Sequence, residues 1–300
     1  MRKLWIAIAI ILILTVLAGC SGSKGSVVIG AKDYTEQYIL GNILALLIEH
    51  NTDIDVTLKV DLGSNMIFAG LIADTLDIYV EYTGTIYANH LNFYDSHSDF
   101  NEAASGDAIF KITKEALMED HNILMLNRLG FNNTYALAVR SDTAAEFNLR
   151  TISDLANVSS DFLFGGGNEI LNRSDGIPTL KILYDMSFRA EVVLNGNDRY
   201  YAIAENDVQV IEAFSTDGML LEYSLVVLED DKHFFPPYHA VPIIRNEIAK
   251  KYPEVVDVLN KLVGIMTDEV MRNLNFKVDV IGQDPRDVAE EFLKEMNLIR

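Results

Sequence analysis

Four aromatic residues stand far apart in the chain, each in polar or turn-forming company: Tyr82 in "EYTGT", Tyr135 in "NNTYA", Phe214 in "EAFSTDG" and Tyr238 in "HFFPPYHA". One such ring on a strand is ordinary core material. Four rings brought together have a chemistry of their own. They can hold a quaternary ammonium, a cation with no N–H to donate. Only dispersion and the negative faces of rings bind it, each contact contributing about 0.5–2 kcal/mol. The prolines at 236 and 237 stiffen the loop that would present Tyr238.

Competing chemistries find little support. His50, His90, His97, His121, His233 and His239 are scattered, with no HxxxH metal spacing. There is no GxSxG. "FGGGN", Phe164 to Asn168, lacks both the P-loop and the GxGxxG pattern and reads as a tight strand-to-helix turn. Acids are abundant, but no carboxylate pair is recognisable as a catalytic dyad. The sequence offers no catalytic residue, metal site or cofactor, so an enzyme is not expected. A surface hydrolase on an α/β scaffold is the rival reading, and it lacks a nucleophile–base pair.

The amino terminus carries a separate signal. Arg2 and Lys3 precede an uncharged run from Leu4 to Gly19, a basic region followed by an apolar one at signal-peptide length. Small residues in "LAGC" lead to Cys20, the one cysteine of the chain, so an internal disulfide is impossible. This segment resembles the lipobox of bacterial lipoproteins. That resemblance implies removal of residues 1–19, acylation of Cys20 with chains such as palmitate, and a flexible tether over 20–26. Without Arg2 and Lys3 the balance is 22 basic against 44 acidic residues, a net −22. Nucleic acid and anionic membrane faces are thereby disfavoured as binding surfaces.

The elements that must position the rings follow from periodicity. "SVVIG" reads as a strand, and Leu40, Ile43, Leu44, Leu47 and Ile48 recur at helical spacing. "DVTLKVDLG", "NMIFAGLIAD" and "LDIYVEYTG" continue as strand, helix, strand. "TYALAVR", "DFLFGGG" and "YHAVPIIR" are further strands, and Thr151 or Ser153 is the candidate cap of the helix before "DFLFGGG". Strands alternating with helices imply α/β layers with mostly parallel sheets, whose ligands bind beyond the carboxyl ends of strands. "DYTEQ" and "EYTGT" both fall at such ends. Two lobes joined by two crossing strands fit the order: residues 27–140 with 237–300, and residues 141–236.

Five segments in order resemble the substrate-binding lipoproteins of osmoprotectant ABC importers, the glycine betaine/carnitine/choline-binding kind: "IGAKDYTEQYILGNILALLIE", "DIYVEYTGT", "LGFNNTYALAVR", "EAFSTDG" and "LVVLEDDKHFFPPYHA". The resemblance runs over roughly Val27 to Ile299. It implies a two-lobed type II periplasmic-binding-protein fold with a two-strand hinge and the ligand in the cleft. It implies a cation cage of Tyr82, Tyr135 and Tyr238. The fourth cage position, usually tyrosine, is Phe214 here, which keeps the π face and loses the hydroxyl. Gln37 and Thr85 correspond to positions at the ligand's polar end, where neutral donors suit a carboxylate; Asn133 is a further candidate. Thr85 in place of an acid points to carboxylate-bearing betaines. Tyr79 and Tyr87 are expected to pack, and "STDG" and "NRSDG" to shape loops. Glycine betaine, carnitine and choline are the expected ligand class, with another trimethylammonium betaine such as ergothioneine as the alternative. The partners implied are a permease and an ATPase on separate chains, with this chain a monomer anchored by lipid on the extracytoplasmic face of the cell membrane.

Overall fold

The strands of the computed structural model assemble into two five-stranded sheets. Residues 25–91, 106–173 and 176–300 are described. The signal segment 1–19, Cys20, most of the tether, His97 and part of "NRSDG" lie outside them.

The first sheet begins with β1 (Ser26–Lys32), which leads into the helix α1 (Thr35–Asn51). Ile39, Leu40, Ile43, Leu44, Leu47 and Ile48 are all fully buried, which is why the apolar run folds as a helix against the sheet. Then come β2 (Asp55–Leu62), the helix α2 (Ser64–Ile72) and β3 (Ile78–Tyr82). A helix over Gly106–His121 precedes β4 (Ile123–Met125). The second sheet is built from β5 (Tyr135–Arg140), β6 (Leu163–Gly166), β7 (Ala190–Val193), β8 (Val210–Phe214) and β9 (Leu225–Leu228). The chain then returns to the first sheet as β10 (Ala240–Arg245). The helices α3 (Asp268–Asp279) and α4 (Pro285–Glu295) follow and pack on α1.

The strand orders are β2-β1-β3-β10-β4 and β7-β6-β8-β5-β9. In each sheet four strands run one way and one runs against them, so both are mostly parallel, as expected, with a single reversed strand. β10 runs antiparallel to β3, and β5 antiparallel to β8. The cause is the crossing: each of these strands enters its sheet from the other one, against the local direction. The crossing segments meet at an isolated bridge between Asn132 and His239. Tyr135–Arg140 pairs wholly within the second sheet, so the expected boundary at 140/141 falls at that strand's far end.

Thr151 caps the helix Ile152–Ala156 through a capping box with Asp154, one of the two caps anticipated. "FGGGN" is a strand running into the short helix Asn168–Asn172. No helix of the described residues is long and apolar enough to cross a membrane.

Candidate ligand site

Backbone pairing explains how distant residues converge. Tyr135 and Phe214 are register partners on antiparallel β5 and β8, with ring centroids 4.9 Å apart. Tyr82 ends β3 opposite Ala240 of β10. Asn133 N donates to Tyr238 O at 3.1 Å, and Thr83 N to His239 O at 3.0 Å. Tyr238 thus stands edge-on to Tyr135 at 5.5 Å. Gly84 completes the approach. A Cβ there would lie 2.6 Å from the Tyr238 ring. The residues around Gly84 are helical, and its missing side chain makes room for a ring.

One narrow pocket of about 50 Å³ is lined by Tyr82, Thr85, Asn133, Tyr135, Phe214 and Tyr238, together with Tyr34, Lys32 and Arg173. It shares Tyr34, Asn133, Tyr135 and Phe214 with a wider cleft of about 630 Å³ between the two sheets. Six of the seven sequence-derived candidates therefore line one space. Gln37 does not. Its Nε2 donates to Val80 O at 3.0 Å and to the Tyr82 hydroxyl at 3.1 Å, so it stands behind the ring. Tyr79 and Tyr87 are buried and line neither space.

Several residues of this region were not singled out by the sequence. Tyr34 lies parallel to Phe214 within 8°, centroids 6.5 Å apart. Arg199 sits over the Phe214 ring at 5.4 Å and pairs with Asp217 at 3.2 Å. Burial works against its charge, but Glu212 and Asp217 more than offset that and raise its pKa. Arg173 lies over Tyr135 at 5.6 Å. The "STDG" turn does more than shape a loop: Asp217 bonds Phe214 N, and Thr216 reaches Glu36.

Two buried carboxylates flank Tyr82. Glu81 is fully buried and bonded to Lys32 at 2.5 Å, His90 at 3.0 Å and the Tyr79 hydroxyl at 3.0 Å. Burial alone would raise its pKa; the Lys32 ammonium and His90 overcome it and hold the carboxyl at about 2. Glu36, in the first turn of α1, is 3% exposed. It accepts from Tyr82 at 2.6 Å, Asn133 at 2.7 Å, Thr216 at 2.6 Å and Asn275 at 3.1 Å. These donors come from β3, the crossing segment before β5, the turn after β8 and α3. Burial raises its pKa, and the four hydrogen bonds offset that only in part. Its neighbour in "TEQ", Gln37, was the residue that sequence reasoning chose. The clue to Glu36 was its place in the same short motif at a strand's carboxyl end.

Comparison with known proteins gives the family. Residues 25–295 match the model described as substrate binding domain of ABC-type glycine betaine transport system. The chain is 37% identical over 272 residues to the ergothioneine transport permease/ergothioneine binding protein EgtU of Helicobacter pylori, covering 90% of this chain and 48% of that protein. It thus spans about half the length of that relative. It is 35% identical to the carnitine transport binding protein OpuCC of Listeria monocytogenes, covering 99% of this chain and 98% of that one. A solved structure, described as crystal structure of glycine betaine/carnitine/choline ABC transporter, superposes with a TM-score of 0.76. It is 34% identical and covers 91% of this chain and 99% of that chain.

Proposed function

The chain belongs to the family of substrate-binding domains of ABC-type glycine betaine transport systems, and from that premise we propose that its cleft binds a trimethylammonium betaine. The observation that carries the reading is the convergence of Tyr82, Tyr135, Phe214 and Tyr238, from four separate segments, on one pocket between the sheets. The cation enters among these rings. A cation–π contact survives the change from tyrosine to Phe214 because only the ring face is used. The ligand's polar end meets Thr85 and Asn133, with Gln37 acting from behind Tyr82.

The proposal extends to the setting. Cys20 anchors the mature chain through lipid on the extracytoplasmic face, and the ligand-loaded monomer docks on a permease served by a separate ATPase. The lipobox-like "LAGC" supports the anchor. A second ligand reading, a betaine larger than glycine betaine such as ergothioneine, is favoured by the breadth of the cleft, about 630 Å³. The Helicobacter pylori relative points the same way. Calorimetric titration with glycine betaine, carnitine, choline and ergothioneine tests the reading. Saturable heat with at least one is expected; none with any of them would overturn it.

A further inference from the structure

Every contact that Glu36 receives comes from a neutral donor: a phenol, a hydroxyl and two amides. No lysine, arginine or histidine forms an ion pair with it among the described residues. Four donors and no cation offset only part of the burial that raises its pKa, so a cation brought into the cleft would complete the site. Glu36 also borders the wide cleft.

The Tyr82 phenol is wired to it. Tyr82 accepts the Gln37 amide, which commits its own proton to Glu36. The Tyr34 ring, parallel to Phe214, stands in the same region. A phenol that donates to a carboxylate gains electron density, and chains of hydrogen bonds polarise one another. Its ring face then attracts a cation more strongly. Both rings line the narrow pocket.

We infer that Glu36 is the counter-charge for the ligand's cation, acting through the hydroxyl of Tyr82 without touching the ligand. This rests on the ligand class proposed above. The arrangement has a chemical reason. A quaternary ammonium has no N–H, so a carboxylate placed against it gains no hydrogen bond. A carboxylate exposed in the pocket would instead favour amines and metal ions. Set behind a phenol, the charge keeps its Coulomb attraction across a low-dielectric gap and offers no acceptor to such competitors. Glu36 is therefore a positioning and polarising residue. A purely structural role, pinning the Thr216 turn to α1, would not distinguish a cation from a neutral ligand of the same shape.

The test uses whichever of glycine betaine, carnitine or choline binds, and its analogue with carbon in place of the quaternary nitrogen; tert-butylacetate is that analogue for glycine betaine. Wild-type titration alone reads the ligand class: if the cation binds no better than its analogue, the reading and the inference fall together. Given a preference, Glu36→Gln is expected to weaken the cation about tenfold or more, and the analogue less than about twofold. Tyr82→Phe keeps the ring and cuts the wire, so it should shift the same ratio in the same direction by less. It carries the test alone if Glu36→Gln does not fold. Equal losses for cation and analogue, or an unchanged cation affinity, would overturn the inference.

Discussion

Glu81 and Glu36 are buried to nearly the same degree on either side of Tyr82, and their surroundings drive them in opposite directions. Glu81 has its cation built in: the Lys32 ammonium of β1 neutralises it, and His90 hydrogen-bonds it from the other side. Glu36 has only neutral donors, gathered from β3, the crossing segment before β5, the turn after β8 and α3. One carboxylate is complete in the protein alone. The other is satisfied in hydrogen bonds and incomplete in charge. Burial therefore does not by itself say whether a charge is structural; the charge of its partners does.

That contrast breaks most sharply under substitution. Glu81→Gln strands the Lys32 ammonium in the core, and loss of one partner of a buried pair typically costs about 3–5 kcal/mol. Urea unfolding should show that loss, whereas Glu36→Gln, which strands no opposite charge, should cost about 1–3 kcal/mol. Equal costs would mean that the two sites do not differ in the way described.

Gly84→Ala probes the ring packing apart from the buried carboxylates. Its methyl would press on the Tyr238 ring at 2.6 Å and force that ring to move. Overpacking of this kind costs about 1–3 kcal/mol. Because the ring that moves is one of those proposed to face the cation, the cation should lose more affinity than its carbon analogue in calorimetry, with the hydrogen bonds of Glu36 left in place.

The smallest effect lies in pH. Glu81 has its folded pKa lowered to about 2 from the ordinary 4.5. Its stabilisation is present above about 4.5 and is lost as pH falls toward about 2. Glu36 has its folded pKa raised, so its contribution has the other sign: fullest below the ordinary carboxylate value, and lost as pH rises through the raised one. Thermal unfolding followed across the acid range should show Glu81→Gln flattening the acid limb, and Glu36→Gln removing a decline on the rising side.

Much of the architecture was legible because it rests on local pattern. The buried apolar stripe of α1 and the alternation of β2 mark those elements directly. The rings were legible as candidates because each stands in a short polar motif. What the sequence hid was register. Nothing local says that Tyr135 faces Phe214, or that β10 and β5 enter their sheets backwards. Nor does it say that Gly84 is small for the sake of Tyr238, 154 residues away in the chain. Gln37 was visible and Glu36 was not, for a related reason. An amide reads as a donor to a ligand, while an acid in an acidic chain reads as surface until its four donors are seen in place. Arg199, in "NDRYY", carried no signal at all: its partners Glu212 and Asp217 lie on and after a strand that is distant in sequence.

The most direct test of the central claim is a crystal structure of the protein with its betaine bound. The quaternary nitrogen is expected within about 6 Å of the ring centroids of Tyr82, Tyr135, Phe214 and Tyr238, with Glu36 behind Tyr82 and out of contact with the ligand. A nitrogen lodged outside those rings, or paired directly with a carboxylate, would contradict the account.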